Sequence, residues 1–268
     1  MSLDIEGLRG DGLHDVDLVL CRLSGGDYLS VEPDPVQEVE VEGMEDRPDN
    51  LVRRALRLIE EQGGPLMVRV ALKKRIPVAA GLGGGSADAA ALIRWACEHR
   101  PALRQTLQKR AGELGADIPF LVEGFAAARA RGRGDLLEPL PSPRGWLVLA
   151  HPPFSVQTAD VYRWYDEVGT NIPPSTPSVV DAIARGVLPS QLGNQLERAA
   201  WRAAPALRDF RQSLERLGAP PARTVLSGTG GTYVVWFDDG EEAEHLAGRL
   251  ADVTDWHAVH QLDEVAEG

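Results

Sequence analysis

A chain of 268 residues with 43% hydrophobic and 25% charged residues has an ordinary globular composition and room for two domains. Its formal net charge of −12 argues against a nucleic-acid partner, whose footprint would be a basic face, and no apolar run approaches the roughly 20 residues of a membrane span. Cys21 and Cys97 are too few for a disulfide framework or a metal cluster, and MSLDIEGLRGDG lacks the form of a signal peptide, so a reducing cytoplasm is the expected setting.

In chain order, VDLVLCRL (16–23), DYLSVEP (27–33) and QEVEVE (37–42) carry partial period-2 alternation and read as antiparallel strands. DNLVRRALRLIEEQGG reads as a helix with Leu51, Ala55, Leu58 and Ile59 on one face, Asp49 or Asn50 as cap and Gly63 as stop. LMVRVALKKRI (66–76) is a strand running into a glycine loop, followed by helices over 86–99 and about 101–114. Pro101 suits the first turn of the second helix. GFAAARARG (124–132) reads as a strand, and Pro139, Pro141 and Pro143 make 136–145 a linker. Beyond it come a strand over 146–151, several helices, RTVLSGTGGTYVVWF (223–237), one more helix and a final strand near 256–262. Leu207, Phe210, Leu214 and Leu217 keep helical spacing before Gly218. The plan is α+β in both halves, without strict βαβ alternation.

The stretch IPVAAGLGGGSADAAALIRWA (76–96) sets the most flexible residues against good helix formers. Without Cβ atoms, Gly81, Gly83, Gly84 and Gly85 can take positive φ and bring amides close to a ligand. Ser86, Ala87 and Asp88 open a helix whose first-turn amides lack internal partners and whose dipole favours an anion. A phosphate chain is the natural occupant, and the Ser86 hydroxyl could serve phosphate or Mg²⁺. A bare strand-to-helix turn would need one glycine rather than four. The loop lacks the Lys of a Walker A motif and the third glycine of the dinucleotide fingerprint.

IPVAAGLGGGSADAAA resembles the glycine-rich second motif of the GHMP kinase superfamily. With GADIPF (115–120) downstream, the GLGGGS form is most similar to the 4-diphosphocytidyl-2-C-methyl-D-erythritol kinases of the non-mevalonate isoprenoid route. GDGLHD (10–15), DNLVRRA (49–55), GNQLE (193–197) and LSGTGGTYVVWF (226–237) match the same family in its order, so the resemblance spans nearly the whole chain. It implies a two-domain fold, with a ribosomal S5 domain 2-like ATP-binding half over 1–140 and a ferredoxin-like substrate-side half over 145–268. It also implies ATP and Mg²⁺ as cofactors, the cytidine-diphosphate-linked methylerythritol as small-molecule substrate, and a monomer or weak homodimer.

Residue by residue, the resemblance makes Asp117 the base that takes the substrate hydroxyl's proton, a role open to a carboxylate because the transition state is loose. A turn Asp more ordinarily caps backbone. His14 corresponds to the histidine that reads the cytosine, Tyr162 falls near a cytosine-stacking aromatic, and Thr158 is placed to line the same pocket. The family tyrosine before the histidine is Leu13 here. Asn50 and Lys74 correspond to adenine-side residues, and Gly228, Thr229, Gly230 and Gly231 to a second backbone loop near phosphates or diol. A plain hairpin would explain that loop equally well.

One departure stands out. The family opens on a strand bearing A-P-A-K-x-N-L, whose lysine neutralises charge at the transferring phosphate. Counting back from Asp11 puts this lysine before or close to Met1, and the first lysine here is Lys73. Arg9, Arg129, Arg131 and Arg133 are the basic residues that could replace it, and lack of the strand would leave a sheet edge open. Two other functions keep the loop: a nucleotide-binding relative without efficient transfer, and a GHMP kinase for a different alcohol.

Overall fold

The computed structural model describes residues 2–42 and 49–262. The chain parts into two compact units, one made of Met1–Ser24, Ala79–Leu82 and Phe125–Gly268, the other of Gly25–Val78 and Gly83–Gly124. This differs from the expected division at 1–140 and 145–268, because the first and sixth strands share a sheet and that sheet is tied to C-terminal residues.

The first unit opens with β1 (Ser2–Leu8) and β2 (His14–Cys21), antiparallel from Ser2↔Val19 to Leu8↔His14. SLDIEGL thus forms the edge strand that sequence reasoning did not expect, with a bulge between Ile5 and Gly7. Its hold is long-range. Leu3 is buried and exchanges backbone bonds with Gly193 and Gln195, and the buried Asp4 carboxylate accepts from the amides of Ser175 and Thr176. Those contacts lie far along the chain, beyond the reach of a local pattern.

The chain then builds the second unit: β3 (Tyr28–Pro33), β4 (Glu38–Glu42), α1 (Leu51–Gly63), β5 (Val68–Lys73), α2 (Gly84–His99), α3 (Arg104–Arg110) and α4 (Ile118–Glu123). Val68, Val70 and Leu72 alternate inward along β5, the central strand of the order β3–β5–β4. The three strands read as antiparallel from 16 to 42 do not pair with one another: β2 lies in a different sheet, β3 is antiparallel to β5, and β4 runs parallel to β5. The physical reason is the crossover: parallel neighbours require a long connection, and α1 lies within it. Ala55, Ile59, Val70, Leu92 and Ile93 are fully buried in one cluster, each large side chain stabilising by about 1.5–3 kcal/mol. The helix expected over 101–114 is broken, with 3₁₀ turns at 101–103 and 111–113 flanking the short α3.

Returning to the first unit, β6 (Ala127–Gly132) and β7 (Leu136–Leu140) complete the antiparallel order β1–β2–β6–β7. The expected linker is therefore partly a strand. Pro139, opposite Ala128, is tolerated because β7 is the outermost strand. After β8 (Trp146–His151) come α5 (Thr158–Val168), α6 (Thr176–Ala184), α7 (Glu197–Ala203), α8 (Ala206–Arg216), β9 (Thr224–Leu226), β10 (Tyr233–Phe237), α9 (Gly240–Ala247) and β11 (Trp256–Gln261). The antiparallel order β11–β8–β10–β9 is the ferredoxin-like arrangement the resemblance implied. Among the described residues, no helix is long and apolar enough to cross a membrane.

Candidate functional site

In the second unit the glycine run ends on the N-terminus of α2. Gly83 is the cap residue in the left-handed region, at φ 67°, and no side chain caps the helix. The amide of Ala87 already donates to Gly83 O at 2.8 Å, which removes Ala87 from the expected set of phosphate donors. The amides of Gly84, Gly85 and Ser86 make no hydrogen bond to any described residue. Three open N–H groups at the positive end of a 16-residue helix form an anion cradle. A Cβ on Gly83 would meet only Asp117 Oδ2, at 3.9 Å, so the space before these amides is open on that side.

Asp117 immediately precedes α4, yet its carboxylate does not cap that helix and has no hydrogen-bond partner among the described residues. Capping, the ordinary role of a turn Asp, is therefore not its role here. Burial alone pushes its pKa up, with no cation contributing. An unpartnered, half-buried carboxylate beside an uncapped helix N-terminus is able to accept a hydrogen bond from a ligand.

Lys74 and Asn50, expected near the adenine, have definite local partners. Asn50 accepts from Val52 N and caps α1. The Lys74 ammonium lies between Asp27 and Asp88, at 2.7 Å from the latter. Burial would lower the Lys74 pKa, but the two carboxylates hold it raised. Asp88 is pushed up to about 6, chiefly by burial, against the pull of Lys74 and with Asp27 adding to the rise. For Asp27, burial is outweighed by Lys74 and by the amides of Arg75 and Ile76, which leaves it lowered. Sequence reasoning missed Asp27 and named Asp88 only as a residue opening the helix, because their shared partner Lys74 lies 47 and 14 residues away.

In the first unit, Gly228, Thr229, Gly230 and Gly231 form the turn between β9 and β10. Gly81 packs on it: a Cβ there would stand 2.5 Å from Ser227 O and 2.7 Å from Gly230 Cα. Ser227 Oγ donates to Gly81 O at 2.7 Å, and Thr232 N donates to Ala80 O. The buried Asn194 of GNQLE donates to Leu226 O and Gly228 O, fixing the turn from behind. Thr158 and Thr229 share a hydroxyl hydrogen bond of 2.7 Å.

The same unit brings His14 and Tyr162 together. Their rings stack at 5.2 Å and 23°, so Tyr162 contacts the histidine itself, and Tyr165 meets His14 edge-on at 5.6 Å. Asp166 Oδ1 lies 2.9 Å from His14 Nε2. Tyr162, Tyr165 and Asp166 occupy one face of α5 at i, i+3 and i+4. Leu13 is exposed beside this cluster. The candidate substitutes for the lysine also lie in this unit. Arg129 grips the buried Asp17 through two bonds of 2.8 and 2.7 Å, Arg9 pairs with Asp11 and Asp15, and Arg131 faces Glu138. The backbone of Arg133 donates to Asp135.

Comparison with known proteins gives this arrangement a context. The GHMP kinases N terminal domain family matches residues 50–125. A 4-diphosphocytidyl-2-C-methyl-D-erythritol kinase from Pelotomaculum thermopropionicum is 38% identical over 263 residues, 93% of this chain and 90% of its own length. One from Alkaliphilus metalliredigens is 35% identical over 87% of this chain and 82% of its own. A crystal structure of 4-(cytidine 5'-diphospho)-2C-methyl-D-erythritol kinase is 33% identical, with a TM-score of 0.76 over 97% of this chain and 95% of that one. L. major mevalonate kinase, solved with R-mevalonate, shares the fold at 15% identity, with a TM-score of 0.61 over 92% of this chain and 90% of that one.

Proposed function

The chain belongs to the 4-diphosphocytidyl-2-C-methyl-D-erythritol kinases of the GHMP kinase family, and from that premise we propose that it phosphorylates the 2-hydroxyl of 4-diphosphocytidyl-2-C-methyl-D-erythritol with ATP. The observation that carries the chemistry is Asp117, a half-buried carboxylate without a hydrogen-bond partner beside an uncapped helix N-terminus.

In this reading the amides of Gly84, Gly85 and Ser86 hold polyphosphate oxygens, as uncapped helix amides do for anions. Asp117 accepts the hydrogen bond of the attacking hydroxyl, orients it and takes its proton late. Its raised pKa, caused by burial, improves it as a base relative to a solvated carboxylate. The His14 and Tyr162 rings, with Thr158 and Thr229 nearby in sequence or space, make the cytidine-side surface. The Gly228–Gly231 turn, fixed by Asn194, also holds the backbone of Ala80 and Gly81 in place.

Among the described residues, no group of three or more His, Cys, Asp or Glu side chains could hold a metal ion. The Ser86 hydroxyl is a hard oxygen donor and suits Mg²⁺, which keeps few protein ligands and several phosphate or water oxygens. When bound, Mg²⁺ supplies charge neutralisation across the phosphates. Asn50 and Lys74 remain candidates for the adenine side only through groups their local bonds leave over.

The test is ADP release with the cytidine-linked substrate. Asp117→Asn is expected to lower kcat by roughly 10²–10⁴-fold, the usual contribution of a positioned base, with ATP affinity little changed. Full activity in this variant would remove Asp117 from the chemistry, and nucleotide binding without turnover in the wild type would refute the kinase reading.

A further inference from the structure

We infer that Asp166 is a positioning residue that sets which nitrogen of His14 carries the proton, and so makes this surface accept cytosine and disfavour uracil. The inference rests on the kinase reading above and adds a residue to it. His14 Nε2 and Asp166 Oδ1 are 2.9 Å apart. An ionised carboxylate can only accept, so in the neutral ring Nε2 is the donor and Nδ1 carries the lone pair.

The ring is held in that sense. Its side chain is only 7% exposed, Tyr162 stacks on one side and Tyr165 closes on it edge-on. Tyr165 and Asp166 come from the same helix face, so the packing that immobilises the imidazole also delivers the carboxylate. Among the described residues Nδ1 has no hydrogen-bond partner. A nearly buried acceptor left without a donor is unfavourable until a ligand supplies one.

Cytosine and uracil differ at this point. Cytosine offers an exocyclic amino donor where uracil offers a carbonyl acceptor. A fixed acceptor at Nδ1 bonds the first and repels the second. Were the proton on Nδ1 instead, the preference would reverse. Asp166 need not touch the base, because its effect passes through the tautomer.

The probes are CDP and UDP, titrated calorimetrically at about pH 8.5, where an ordinary imidazole is neutral. The His14 tautomer is read in parallel from the ¹⁵N shifts of its ring. The wild type should show a protonated Nε2 and bind CDP more tightly than UDP by on the order of 10- to 100-fold, the scale of one satisfied against one opposed buried hydrogen bond. In Asp166→Ala the tautomers should mix and the ratio should fall several-fold. In Asp166→Asn the side-chain amide can donate to Nε2, driving the proton to Nδ1 and lowering the ratio further. Asp166 is 54% exposed, so neither variant removes core packing. An unchanged ratio and tautomer in both variants would overturn the role of Asp166 while CDP binding still supported the kinase reading. A wild type that binds neither nucleotide would refute the reading beneath it as well.

Discussion

The two glycine-rich stretches look alike as sequence, yet individual glycines within them serve opposite ends. In GTGG, Gly230 lies against Gly81, and backbone occupies the space where either Cβ would go. Within GLGGGS, Gly83 has nothing nearer to its missing Cβ than Asp117 Oδ2 at 3.9 Å, and among the described residues the three amides after it have no hydrogen-bond acceptor. Gly81 and Gly230 let chain approach chain, whereas Gly83, two residues beyond Gly81, leaves space in which a ligand can sit. A glycine-rich motif therefore identifies a close approach without saying what approaches.

Replacing the packed glycines should produce the largest effect on the fold. Gly81→Ala puts a methyl 2.5 Å from Ser227 O and also leaves an L residue at φ 74°. Neither neighbour is a side chain that can turn aside. The combined cost is about 3–5 kcal/mol, which thermal denaturation would register as a Tm fall of about 10 °C. Gly83→Ala makes the opposite case. It bears the left-handed penalty alone, about 1 kcal/mol, yet places a methyl before the anion cradle. Its expected signature is a Tm within a few degrees of wild type and a KM for ATP raised on the order of ten-fold. Equal stability losses in the two variants would break the distinction.

The floor of the open loop can be probed through Asp88, one turn into α2. Its folded pKa of about 6 stands above the ordinary carboxylate value of 3.8, so the folded state binds more protons between about pH 4 and 6. The contribution of this group to stability is therefore greatest below that window and falls as pH rises through it. Asp88→Asn should remove that fall, flattening the urea-unfolding stability between pH 4 and 6.5 by about 1–2 kcal/mol. Lys74 keeps Asp27 as partner in the variant. A slope identical to wild type would show that Asp88 titrates as an ordinary carboxylate.

What could be read from sequence follows from how far each feature's causes extend along the chain. Asn50 before an amphipathic helix, glycines before α2 and the alternation in β5 are local signals, and all three elements form where expected. The strand at Ser2–Leu8 was missed because its partners are Gly193, Gln195 and the start of α6. β7 was hidden by Pro139, whose cost disappears at a sheet edge. The parallel pairing of β4 with β5 required seeing strand, helix and strand as one crossover. At the candidate site, Asp117 and the glycine loop were legible from motif and residue type. Asp166 was not, because nothing marks an aspartate on an amphipathic helix as the partner of a histidine 152 residues away.

The smallest effect concerns a residue shortly before the packed Gly81 of the glycine loop. Ala79 is the only non-glycine with positive φ among the described residues, at 58°, in front of an Ala80 whose carbonyl is fixed by Thr232 N. An L residue in that region costs about 1–2 kcal/mol. Glycine would relieve the strain but adds about 0.4–1 kcal/mol of unfolded-chain entropy to be lost on folding. Relief wins narrowly, so Ala79→Gly should stabilise the protein by about 0.5 kcal/mol in urea unfolding. Destabilisation would mean that Ala79 is unstrained, and that the approach to the loop is shaped by contacts of its methyl rather than by the packed glycines behind it.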